Sequence, residues 1–247
     1  MKSLKKVAGA MCAILAAAAV FAQEKDASKT ETSAESSYLS SVEDVVITEL
    51  ANSDERDNKL VALQYLEDAV NDGRTTPDMM AALGSLAGEG IASQSRTKGR
   101  LMNNFPDIRA KACELLGKVP TEESKHSLKK VALEDNEPMV ITAAIRSLGD
   151  IGMNDNDEVT KTIAWAQKKN AVLNPTSSLA LEVLIAYEKL ADSVQDKGEM
   201  IQSVGAIATD YHYVKPVRDR ALALLKTLQG SSNSSGKSSS KNNKDAK

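Results

Sequence analysis

The sequence predicts an all-α fold, an α-α superhelix of about five stacked helix pairs. Three observations lead there. A block repeats: Pro106 to Gly117 aligns without a gap on Pro138 to Gly149 at an offset of 32 residues, and Pro216 to Leu222 is a third copy. Apolar residues recur at intervals of three and four across most of 38–228, and no stretch alternates as a strand would. Aromatic residues are only 3% of the chain, so Ala, Leu, Val and Ile must fill the interior, which suits helices that approach closely. A single pair of about 35 residues cannot bury its apolar stripe alone; stacking neighbours buries a continuous core.

The clearest copy is Leu133 to Gly152. Glu134, Asp135 and Asn136 form an acidic turn ahead of Pro138, which suits the first turn of a helix. Val140, Ala144, Leu148 and Ile151 make one apolar face, with small residues at its centre. Gly149 and Gly152 mark the expected end.

Taken in order, the period begins at Tyr38, with a stripe of Leu39, Val42, Val45, Val46 and Leu50. Asn52, Ser53 and Asp54 break that helix and cap the next, which runs through Leu60, Leu63, Leu66 and Val70. Thr76-Pro77 starts a third helix through Met80, Leu83 and Leu86. Residues 88–104, with three glycines and three basic residues, read as an insertion loop. Helices are expected at 106–118, 121–134, 138–151, 157–169, 175–190, 197–209 and 215–228, joined by short turns. Anchoring the copies on Ala62, Ala112, Ala144, Ala180 and Ala221 gives spacings of 50, 32, 36 and 41; the first is long because it contains the insertion.

The two ends differ from the body. Residues 1–22 read as a secretory signal peptide, with Lys2, Lys5 and Lys6 before an apolar run from Val7 to Val20 and small residues before an expected cut at Gln23. Residues 23–37 are a polar spacer, and 230–247 a low-complexity tail of Ser, Asn and Lys. The net charge of −3 conceals a basic leader and tail, each +3, around a body of −9. Such a body argues against nucleic acid as a partner, because phosphate binding needs clustered Lys and Arg. No span of a membrane is expected after leader cleavage. That cleavage would leave Cys113 as the one cysteine, expected buried on its helix's apolar face.

The Pro-x-Val-Arg-like pairs Ile108-Arg109 and Val217-Arg218, together with Asp54, Asp135 and Asp210 in the turns, resemble the HEAT repeat family, including its bilin-lyase-like branch. The resemblance covers about Tyr38 to Leu228, with the solenoid at 38–229. It implies an α-solenoid in which Asp and Arg bond along the stack and the second helix of each pair lines the concave side. Ile141 and Ser177 stand where Arg is expected, so that polar ladder should be broken in the middle.

The implied lining includes Gln64, Asp68, Glu114, Lys118, Arg146, Asp150, Glu182 and Thr227, mixed in sign and without aromatics. It reads as a groove for a peptide or a folded protein, or else as a solvated face. Further candidate contacts are Arg96, Lys98 and Arg100 in the insertion, and Tyr211 and Tyr213 in the last turn; one of these tyrosines should pack under the last repeat. Trp165, between Ile163 and Ala166, is expected in the core. Two histidines and one mature cysteine offer no metal-ligand spacing, and neither a phosphate loop nor a serine elbow occurs. No cofactor is expected. The sequence thus points to an exported, non-catalytic scaffold of the cell envelope. An accessory subunit or bilin-lyase-like enzyme using the concave face, or a purely structural spacer, stays open beside it.

Overall fold

A computed structural model describes residues 34–92 and 94–235. The expected leader and most of the spacer and tail lie outside these residues. Among the described residues there are ten α-helices: α1 (Ala34–Asn52), α2 (Arg56–Asn71), α3 (Pro77–Ala87), α4 (Pro106–Gly117), α5 (Glu122–Glu134), α6 (Pro138–Ile151), α7 (Glu158–Leu173), α8 (Ser177–Leu190), α9 (Gly198–Thr209) and α10 (Lys215–Ser235). The chain is an all-α stack of helix pairs, and nearly every expected helix is present. Two ends differ: α1 begins at Ala34, inside the expected spacer, and α10 continues to Ser235 through residues with nothing apolar to bury. Extending an existing helix adds one bond per residue fixed, so it needs no such burial.

The chain divides into a unit ending at Val45 and a larger unit from Val46 onward. In the first, Tyr38, Leu39, Val42 and Val45 are exposed. Within the larger unit, α1 contributes Ile47 and Ala51 to the core, with Leu50 packed against it. The expected stripe was therefore displaced: periodicity shows which residues share a face, not whether a neighbour covers it.

In the larger unit the helices form two rows. The second helices of the pairs pack in sequence, α2 on α4, α4 on α6, α6 on α8 and α8 on α10; the first helices do likewise from α3 through α5 and α7 to α9. The five anchor alanines, Ala62, Ala112, Ala144, Ala180 and Ala221, are all buried between them, as are Val140, Leu148 and Cys113. Burial pushes the Cys113 thiol far above its ordinary pKa, which keeps it protonated and inert.

Local chemistry sets the helix starts. Pro77, Pro106 and Pro138 open their helices. The Thr76 and Thr121 hydroxyls accept from the Met79 and Ser124 N–H groups at 3.2 Å. Gly149 does not end its helix, contrary to expectation. It sits inside α6, where a Cβ would lie 2.9 Å from Ala186 Cα, so its role is to let α6 and α8 touch. Gly117, its repeat equivalent, does the same for α4 against Ser147 of α6. The helix ends instead at Gly152, at φ 71°.

The insertion holds a feature the sequence reading excluded, a small antiparallel hairpin of β1 (Arg96–Thr97) and β2 (Arg100–Leu101). Lys98 (φ 50°) and Gly99 (φ 79°) form its two-residue turn, the left-handed pair that matches strand twist. Two residues per strand are too few to show alternation.

Candidate functional site

The residues expected to line a binding groove lie on the second-helix row, and most of their charges are already paired along that row. Lys111 of α4 binds Glu67 of α2 at 2.7 Å, and Lys118 donates to Asn71 at 3.0 Å and lies 3.8 Å from Glu67. Arg146 of α6 reaches Glu114 of α4 at 3.5 Å and Glu182 of α8 at 2.8 Å. Asp150 of α6 pairs with Lys189 of α8. Arg220 of α10 grips Glu188 of α8 with two bonds of 2.9 and 2.6 Å. A ladder of opposite charges thus runs from α2 to α10 along one row.

Its hydrogen bond to Lys111 holds the Glu67 carboxyl below its ordinary range, and the bond to Glu182 raises the Arg146 pKa. Most of these groups are partly exposed, so each pair is worth about 0–1 kcal/mol. Their combined effect is to fix the spacing of successive repeats. A partner docking here would have to displace these pairs or accept a surface of balanced charge. Gln64, Asp68 and Thr227 are exposed on the same helices and carry no such pair among the described residues.

The insertion is organised by a second, buried polar network. Arg109, 2% exposed, donates to both Asp135 oxygens (2.7 and 3.3 Å), to Asn104 Oδ1 (2.9 Å) and to the Glu89 carbonyl (3.2 Å). The Glu89 carboxylate accepts from Asn103 at 2.7 Å and from the buried Lys59 at 3.0 Å, and Lys59 also donates to the Ala51 carbonyl. Asn103 Oδ1 in turn accepts the Ser95 N–H at the base of the hairpin. Gly90 allows the two ends of the insertion to meet, since a Cβ there would lie 2.5 Å from the Asn103 carbonyl.

The Arg109–Asp135 pair is the stack-wise Asp–Arg bond that the repeat pattern implied. As expected it does not propagate: Ile141 is buried apolar surface, and Ser177 Oγ accepts only the Val214 N–H at 3.0 Å. Lys169 takes over by donating to the Leu133 and Asp135 carbonyls.

With Glu89 used inside, the hairpin presents only cations. Arg96 spends its guanidinium on Gln94 and the Gly99 carbonyl. Lys98 and Arg100 are exposed. The expected basic patch is therefore on a rigidly based projection and not on a slack loop.

Glu122, Asp155 and Glu158 bring carboxylate oxygens within 4.8 Å of one another, a spacing suited to a cation. Lys125 Nζ already occupies that place, at 2.8, 2.9 and 2.7 Å from the three. Burial opposes its charge, but the three carboxylates outweigh burial and raise its pKa. His126 and His212 are both exposed, and the His212 ring pairs with Asp210.

Of the two tyrosines, Tyr213 is core, as one of them was expected to be, and Tyr211 is 86% exposed with the Arg218 guanidinium 4.6 Å from its ring centre. Trp165 departs from expectation. It is 52% exposed and borders a cleft of about 490 Å³ between α7 and α9, with Lys161, Lys168, Glu199 and Gln202. Its burial was misread from its neighbours. Val159, Ile163, Ala166 and Asn170 are the buried stripe of α7, and Trp165 falls with Lys161, Lys168 and Val172 on the other face.

Residues 99–171, which contain the second hairpin strand and α4 to α6 with most of α7, match the family model for HEAT repeats. No curated protein and no solved structure matches the chain. The two copies aligned at an offset of 32 both lie inside the matched segment, so those two copies are HEAT repeats, and the third copy at Pro216 to Leu222 lies beyond it. Among the described residues no helix is long and apolar enough to cross a membrane.

Proposed function

We propose that this HEAT-repeat chain is exported and acts as a non-catalytic protein-binding scaffold of the cell envelope. HEAT repeats generally mediate protein interactions, and extended repeat surfaces suit that role. The leader-like residues 1–22 support export. The observation that carries the binding reading is the basic hairpin. Lys98 and Arg100 project from a base fixed by Arg109 and Glu89, on a body of charge −9. An acidic segment of a partner would be drawn to these two cations, chiefly through a faster and salt-sensitive association.

The experiment is capture from an envelope extract with crosslinking, comparing the parent with the triple variant Arg96→Glu, Lys98→Glu, Arg100→Glu. All three residues are exposed, so the melting temperature should not move. Capture of the parent's partner at low salt should fall by about tenfold. Unchanged capture would reduce the hairpin to a spacer.

A further inference from the structure

We propose that the cleft between α7 and α9 docks a short segment of a partner protein, one that carries an apolar anchor flanked by carboxylates. This rests on the binding reading above and places a contact on the first-helix row, away from the charge ladder.

Three observations converge on it. Trp165, the one tryptophan of the chain, stands half in water at the cleft wall instead of joining the core. Partly buried tryptophans in concave surroundings are the residues that anchor protein partners. Ala164 and Ala206 are among its lining residues, and their short side chains leave room for the gap of about 490 Å³ between the helices.

The apolar surface continues beyond the cleft. Val172, 82% exposed, lies two helical turns from Trp165 on the same face, and Leu173 follows it. The next turn is tied to the start of α8 by the bond from Val214 N–H to Ser177 Oγ, which brings exposed Tyr211 and Val214 to the same end of the stack. Exposed apolar residues on one helix face, such as Trp165 and Val172, suit a protein contact.

Charge selects the occupant. Lys161 and Lys168 lie one turn to either side of Trp165, both exposed. Lys168 makes no ion pair among the described residues, and Lys161 donates only to the Asn156 carbonyl. A segment with carboxylates beside its apolar residue would meet both cations, with Glu199 and Gln202 on the far wall to accept its backbone N–H groups. The chain's own C-terminal residues are rich in lysine and would be repelled from these cations. A second copy would bring another body of charge −9 against the first.

Because Trp165 is the one tryptophan, its fluorescence reports the cleft directly. The full chain would be titrated with the peptide acetyl-Asp-Phe-Asp-Leu-Asp-Leu-amide, with a control carrying Lys for Asp, with a control carrying Ser for Phe and Leu, and with the trimer of N-acetylglucosamine. A saturable blue shift is expected with the acidic apolar peptide alone. The Lys161→Glu, Lys168→Glu double variant should weaken it about tenfold or more at unchanged melting temperature. The proposal is overturned by no shift up to about 1 mM, since binding weaker than that carries no useful specificity. It is equally overturned by the same response to peptides of either charge, by a response to the sugar instead, or by a shift that follows protein concentration as dimers form. If the double variant still captures the parent's partner in full, the cleft is not the docking site, while the scaffold reading stands.

Discussion

Asp135→Ala should lower the stability of the chain by about 3–5 kcal/mol, the cost of leaving one charge of a buried pair uncompensated. Asp135 is 2% exposed, and it is the anion that faces the equally buried Arg109 with two bonds. Its Oδ1 also accepts from the Asn136 and Glu137 N–H groups at 2.7 and 2.9 Å, ahead of the start of α6. Removing it strands a guanidinium that has only Asn104 and the Glu89 carbonyl left, and frees those two N–H groups. Because Arg109 also holds the insertion, hairpin residues should become more accessible to proteases in the same variant. Replacing Arg109 and Asp135 together by Leu should cost much less than Asp135→Ala, since the stranded charge is gone. Urea unfolding checks both; equal loss in the single and double variants would mean that the pair is not the source of the effect.

Gly149→Leu should destabilise by about 1–3 kcal/mol. On propensity alone the change would stabilise an interior helix position by roughly 1 kcal/mol. Packing wins because the first added carbon already lies 2.9 Å from Ala186 Cα, which is backbone and cannot rotate away. Gly205→Ala is the control. It is also inside a helix, but nothing lies within 4 Å of its added carbon, so only the propensity gain of up to about 1 kcal/mol remains. Opposite shifts of the two melting temperatures are expected; shifts of the same sign would contradict the close α6–α8 contact.

These glycines show how much was legible. The repeat offset of 32 identified Gly117 and Gly149 as equivalent, and the period placed almost every helix within a few residues. It did not say that both glycines sit at helix crossings, because a glycine near a helix end reads first as a terminator. The expected groove residues were found on one row, yet their pairing was not legible. Glu114, Arg146 and Glu182 are 32 and 36 residues apart, and only the stack brings them together.

Trp165 was legible and was misjudged. Counting by three and four from Val159 gives Ile163, Ala166 and Asn170 and passes over it. Its apolar neighbours Ile163 and Ala166 in sequence do not share its face. The hairpin was beyond pattern reading, and so was Glu89, whose carboxylate serves the network with Lys59 and Asn103 instead of balancing the exposed cations. Similarly, nothing in the spacing of Asp157 foretold that its carboxylate would accept the Gln195 and Asp196 N–H groups, which hold its pKa below the ordinary range and tie α7 to the turn before α9.

If the second-helix row is closed by its own charges, partners are held elsewhere. Lysine acetylation, read residue by residue by mass spectrometry on the free chain and on the chain with its captured partner, tests it most directly. Lys98, Lys161 and Lys168 should lose reactivity when the partner binds, while Lys111, Lys118 and Lys189 of the ladder keep theirs. Protection of the ladder lysines, with Lys98, Lys161 and Lys168 unchanged, would contradict it and return the binding site to the second-helix row.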